Sequence, residues 1–169
     1  MKTPPIISIV GLSGSGKTTL TEKVIAILAK KKYKVASIKH SCHPHPLDAK
    51  GKDSWRHKNA GAIRTVFAGP KAMQLITDVK GEKTPKEIAK EFFLGMDVVI
   101  VEGFLHSKTD KIEVVRKERS EEPVLTPKKG LVAIVTDIKG LAPFKNTPVF
   151  DLNDAKSVAA FIITRLKLK

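Results

Sequence analysis

Cysteine is nearly absent from this chain: Cys42 stands alone among 169 residues. No intrachain disulfide can form, and the shortage fits a reducing, cytoplasmic setting. Aromatic residues are also scarce at 5%, a thin supply for the stacking of bases that single-stranded nucleic acids require. No apolar run approaches the ~20 residues that span a bilayer. Met1-Lys2-Thr3-Pro4-Pro5 leads straight into an apolar stretch with no signal-peptide pattern. Acid is in short supply: 17 Asp and Glu face 31 Lys and Arg, a net charge of +14. That balance suits polyanionic partners such as a nucleotide or a phosphorylated cofactor. The excess is dispersed, and its densest run, Lys30-Lys31-Lys32 with Lys34, closes a helix where cations suit the dipole. The surface therefore reads as solvated, and neither nucleic acid nor membrane is an expected partner. Length and a hydrophobic share of 41% suit a single globular domain over residues 1–169.

What is present is a complete G-x-x-x-x-G-K-[ST] pattern, Gly11-Leu12-Ser13-Gly14-Ser15-Gly16-Lys17-Thr18. Its flanks agree with it. Ile6-Ile7-Ser8-Ile9-Val10 reads as a buried strand. Thr18 to Lys30 carries Leu20, Val24, Ile27 and Leu28 at i, i+4, i+7 and i+8, the stripe of an amphipathic helix. Strand, glycine loop and helix in that order form a mononucleotide-binding unit. Glycines let successive N–H groups turn toward an anion, and the helix adds its positive end. The expected phosphate ligands are Gly11, Ser13, Gly14, Ser15, Gly16, Lys17, Thr18 and Thr19, with Lys17 on the β- and γ-phosphates and the Thr18 hydroxyl on Mg²⁺.

Further elements follow along the chain. Val35 to Lys39 reads as a strand, His40 to Asp53 as a polar loop, and Ser54 to Ala60 as a short helix stopped by Gly61. Ile63–Ala68 and Ala72–Thr77 flank the turn Gly69-Pro70-Lys71 and predict a hairpin. Thr84-Pro85-Lys86-Glu87 is a capping box with Pro in the first turn, opening a helix to about Phe93. Val98–Val101 and Leu131–Thr136 are near-continuous apolar strands, the mark of a parallel sheet buried on both faces. Lys111–Arg116 and Thr147–Phe150 read as strands, Glu118–Lys129 as a charged loop, and a last helix starts near Asn153 or Asp154. Alternating strands and helices predict an α/β, three-layer P-loop NTPase fold, its sheet mostly parallel with an added antiparallel hairpin.

A phosphate loop needs an acid near its Mg²⁺, usually at the end of a neighbouring strand. Glu102 ends one central strand and is the expected metal-shell acid, and Gly103 beside it permits close approach of the phosphates. Asp137 ends another, where it can meet the nucleotide base, although no full Asn-Lys-x-Asp pattern surrounds it. His40-Ser41-Cys42-His43-Pro44-His45 concentrates metal-ligating side chains without a standard zinc spacing. It reads as either a metal site or a polar surface loop. No catalytic residue is assigned.

Several stretches together narrow the P-loop class: Lys39-His40 with its His-rich loop, Gly51-Lys52-Asp53-Ser54, Asn59-Ala60-Gly61-Ala62, Val99-Ile100-Val101-Glu102-Gly103-Phe104, and Pro148-Val149-Phe150-Asp151-Leu152-Asn153-Asp154. Across essentially its whole length the chain resembles the MobB family of molybdopterin-guanine dinucleotide biosynthesis adapters. The resemblance implies GTP bound with Mg²⁺ and hydrolysed slowly. It implies a partner, the molybdenum cofactor guanylyltransferase that attaches GMP to molybdopterin, and a homodimer with strands in the subunit contact. On matching positions, Gly14 to Thr19 hold the phosphates, Glu102 is the strand acid and Asp53 joins the metal shell. Many relatives place adjacent histidines where this chain has His40-Ser41-Cys42-His43, so no individual histidine inherits a role. Molybdopterin, itself phosphorylated, is the expected second ligand, and some of Lys39, Lys52, Arg56 and Arg64 are expected to contact it or the partner enzyme. A metallochaperone GTPase using the His/Cys loop and a small-molecule P-loop kinase, with Arg116 and Arg119 as its only lid arginines, are the alternatives.

Overall fold

In a computed structural model, residues 2–41 and 48–169 are described. The chain packs as two compact units, one built from Met1–His40 and Thr84–Lys169, the other from Ser41–Lys83.

The larger unit holds six strands: β1 (Ile6–Val10), β2 (Val35–Lys39), β5 (Val98–Glu102), β6 (Asp110–Val115), β7 (Leu131–Thr136) and β8 (Val149–Asp151). They form one sheet in the order β2-β5-β1-β6-β7-β8, and every neighbouring pair is parallel. Three helices belong to this unit: α1 (Lys17–Lys30), α3 (Pro85–Phe92) and α4 (Ala155–Leu166). The smaller unit holds α2 (Asp53–Asn59) and the antiparallel hairpin of β3 (Arg64–Ala68) and β4 (Met73–Thr77). The predicted hairpin thus forms its own two-stranded sheet, and the main sheet is wholly parallel.

Side chains alternate across the sheet. Ile7 and Ile9, Val98 and Ile100, Ile112 and Val114, and Ala133 and Val135 pack in one cluster with Leu20, Val24 and Leu28 of α1 and Val158 and Ile162 of α4. Each Ile or Leu buried this fully contributes roughly 1.5–3 kcal/mol. On the other face Val99 and Val101 pack with Ala89 of α3, and Val10 and Val115 pack with Leu125. Of the predicted α1 stripe, Ile27 is only partly buried, and Thr21 is buried instead. Helix ends follow the sequence signals. Thr84 makes the full capping box with Glu87, and the Asp154 carboxylate accepts from Ser157 N at 3.0 Å.

The connection from β5 to β6 departs from the expected pattern. The two strands flank β1 and run parallel to it, yet only residues 103–109 join them, fewer than the dozen a helical crossover takes. The segment has no helix and is pinned by side chains. Ser8 Oγ lies 2.7 Å from Thr109 Oγ1. Lys111, only 2% exposed, donates to the carbonyls of Ser107, Thr109 and Lys129 at 2.5, 3.0 and 3.1 Å. The last carbonyl belongs to a short 3-10 turn, Pro127–Lys129, within the predicted charged loop. Burial lowers the Lys111 pKa, with Asp110 pulling the other way. Two positions on, buried Glu113 accepts from Val124 N and Leu125 N at 2.7 and 2.9 Å, ordering the loop that leaves β6. Among the described residues no helix is long and apolar enough to cross a membrane.

Candidate phosphate and metal site

The sheet places β1 with β2 and β5 on one side and β6, β7 and β8 on the other. Its C-terminal end is therefore a topological switch point, where open α/β sheets hold ligands. The glycine loop starts there. Gly11, Gly14 and Gly16 take φ of 142°, 74° and 96°, values that side chains other than glycine's strain to adopt. Gly16 is the N-cap of α1, so the first N–H groups of the helix face the loop unpaired. Lys17, counted by sequence as the residue before the helix, is its first residue. Its Nζ donates to the Leu12 carbonyl across the loop at 2.7 Å.

The adjacent strand completes the arrangement. Glu102 lies opposite Ile9 of β1 and opposite Lys39 of β2, and it is 5% exposed. Thr18 Oγ1 donates to Glu102 Oε1 at 2.8 Å, and Lys39 Nζ pairs with the same oxygen. A loop hydroxyl and a buried carboxylate thus meet. The donor set is hard oxygen, which fits Mg²⁺, an ion that takes one or two protein oxygens and leaves the rest to phosphate and water. The Lys17 pKa is lowered, first by burial and further by Lys39, with Glu102 opposing. Lys39 is the participant that sequence reasoning assigned to a second anion. In the structure it partners Glu102, a pairing visible only once β2 and β5 are known to be neighbours. Gly103 too has a nearer neighbour than phosphate: a Cβ there would lie 3.1 Å from His40 Cβ. His40 stacks on Phe104 with ring centroids 4.1 Å apart.

Asp137 follows β7, two strands from β1. Its Oδ1 accepts from Lys117 N at 2.8 Å and its Oδ2 lies 3.8 Å from Arg116 Nε. Asp53 is an exposed residue of the smaller unit, 3.8 Å from Arg56 Nη1. Lys52 caps α2 without a side-chain bond. Cys42, His43 and His45 lie outside the described residues. Among the described residues no group of three metal-ligating side chains occurs. One contact was not foreseen. The Arg119 guanidinium, predicted only as a lid candidate, packs against Gly14: a Cβ at Gly14 would sit 2.8 Å from Nη2 and 3.0 Å from Nε.

A family model, molybdopterin guanine dinucleotide synthesis protein B, matches residues 6–137, from β1 through the residue after β7. The chain belongs to the MobB family. It is 34% identical to the molybdopterin-guanine dinucleotide biosynthesis adapter protein of Haemophilus influenzae, covering 94% of this chain and 87% of the relative. It is 30% identical to the Escherichia coli K12 protein of the same description, covering 94% and 91%. A crystal structure of molybdopterin-guanine biosynthesis protein B superimposes with a TM-score of 0.71 at 30% identity over 95% of this chain and 99% of the other. Bacillus subtilis MobB gives 0.74 at 25% identity over 98% of each. The MobB assignment supports a role in building the guanine dinucleotide form of the molybdenum cofactor, and it carries the P-loop fold with it.

Proposed function

We propose that this MobB-family chain is a GTP-binding adapter that assists the guanylyltransferase attaching GMP to molybdopterin. The observation that carries the proposal is the meeting of Thr18 Oγ1 with Glu102 Oε1 at 2.8 Å, beside Lys17 and below a complete glycine loop. In this reading Gly11 and Ser13 to Thr19 would hold the phosphates, and Thr18 and Glu102 would hold Mg²⁺. Asp137 faces the base. Bound at Thr18 and Glu102, Mg²⁺ would supply neutralisation of phosphate charge. Lys39, which pairs with Glu102, would be free to turn to a phosphate if that carboxylate held Mg²⁺. Hydrolysis is weak, because no water-orienting Gln stands in the motifs and positioning alone leaves much of the barrier in place. Molybdopterin is the proposed second ligand.

A homodimer is part of the proposal. The smaller unit exposes Phe67 at 64% and Met73 at 79%, with Ile63 and Val66 beside them in the strand pair and its approach. Apolar side chains so displayed on a two-stranded hairpin mark an interaction surface. The role places the protein in the cytoplasm, where GTP and the transferase meet. The test is capture of the purified guanylyltransferase by this chain with GTP, ATP or no nucleotide. GTP-enhanced capture is expected. Capture indifferent to nucleotide, or none, defeats the adapter reading.

A further inference from the structure

We infer that Arg119 is a phosphate-contacting residue, closing the loop site from the side opposite Glu102. The inference rests on reading Gly11–Thr18 as the seat of a nucleotide's phosphates. Glu102 approaches the loop from β5, whereas Arg119 comes from the turn that follows β6, on the other flank of β1. Its guanidinium packs against Gly14: a Cβ at that position would lie 2.8, 3.0 and 3.1 Å from Nη2, Nε and Cζ, so a side chain there would have to displace the arginine. Glycine at position 14 thus serves the arginine as well as the backbone turn.

The turn that carries Arg119 is held from several sides. Arg119 N and Ser120 N both donate to the Arg116 carbonyl, at 2.8 and 2.9 Å. Lys117 N is fixed by Asp137 Oδ1, and Glu113 fixes the far end at Val124 and Leu125. Glu122 lines the cleft beside Arg119 without pairing with it, and the other acids nearby are engaged. Glu113 holds those two amides, and Glu118 and Asp137 face Arg116. Among the described residues no carboxylate pairs with Arg119 within ion-pair distance. The same cleft is lined by Ser15 of the loop, whose hydroxyl is buried without a hydrogen-bond partner. A forked cation with no acid, set on a phosphate loop beside an unsatisfied buried hydroxyl, matches a phosphate oxygen in both charge and geometry.

The test titrates Mg²⁺ with inorganic tripolyphosphate, and separately with GTP, into the wild-type chain and the variants Arg119→Ala, Arg119→Lys and Lys17→Ala. Arg119 is exposed, and circular dichroism checks that each variant folds. Arg119→Ala is expected to weaken both ligands by about tenfold to a hundredfold. Arg119→Lys should recover only part, since an ammonium cannot make the forked contact. Unchanged tripolyphosphate affinity in Arg119→Ala overturns the inference, including the case where GTP alone weakens and the arginine serves the base. If Arg119→Ala is silent while Lys17→Ala loses binding, the loop reading stands and this inference falls. If Lys17→Ala binds as tightly as wild type, the loop reading falls, and the inference falls with it.

Discussion

Replacing Gly11 by alanine puts a methyl carbon 2.4 Å from the Val114 carbonyl oxygen and 3.3 Å from its carbonyl carbon. Both atoms are backbone of β6, paired in register beside β1, so neither can rotate aside. The φ of 142° at Gly11 adds strain for any residue with a Cβ. Gly16→Ala is the internal control: its φ is 96°, and nothing lies within 4 Å of the added carbon. Backbone strain alone is worth about 1–3 kcal/mol, and overpacking against a fixed neighbour about another 1–3 kcal/mol. Gly16→Ala should therefore cost ~1–3 kcal/mol, and Gly11→Ala ~2–6 kcal/mol. Urea unfolding followed by circular dichroism reads both as shifts in midpoint at unchanged slope. A Gly11→Ala cost no larger than that of Gly16→Ala would refute the claim that β6 packs directly under the start of the loop.

Three further outcomes follow from named contacts. Lys39→Met frees Glu102 for metal, and Mn²⁺ titration of the nucleotide-free protein should show tighter binding. Because Lys39 is 63% exposed, such a pair is worth at most about 1 kcal/mol, so the gain stays within about fivefold, and weaker binding would contradict the competition. Lys111→Met strands three carbonyls that now share one ammonium; thermal or urea unfolding should report a loss of ~2–5 kcal/mol, whereas a neutral result would mean that residues 103–109 are not held by it. The Asp154 pKa is lowered by its bond from Ser157, so its contribution to stability is present above the usual carboxylate range and is lost as pH falls through the lowered value. The stability gap between wild type and Asp154→Ala should be constant near neutrality and shrink in acid below about pH 4; a gap that widens in acid would exclude the capping role.

The legible parts of the fold were those set by local chemistry. The β1–loop–α1 unit follows from glycine spacing and apolar periodicity, both contained within Ile6–Lys30. The hairpin follows from Gly69-Pro70-Lys71, and α3 and α4 from their capping residues. Glu102 could be chosen because a carboxylate closing an otherwise apolar strand is costly unless it has a use. The unread parts depend on distant partners. Lys111 and Glu113 alternate with Ile112 and Val114, a pattern that by period alone gives β6 one wet face. Both charged side chains are in fact buried, because carbonyls and amides from loops up to 18 residues away satisfy them. The same holds for Lys39, whose partner is 63 positions along, and for Arg119, which meets Gly14 only because β6 lies next to β1.

The central claim is that Gly11–Thr18 and Glu102 form a site for a magnesium nucleoside triphosphate with guanine preferred. Calorimetric titration of Mg·GTP and Mg·ATP into the wild-type chain, with Lys17→Ala and Glu102→Gln beside it, tests this most directly. GTP should bind tighter than ATP, Lys17→Ala should lose at least about tenfold in affinity, and Glu102→Gln should lose Mg²⁺ dependence. GTP affinity unchanged by Lys17→Ala, or Mg²⁺ dependence untouched by Glu102→Gln, would contradict that claim.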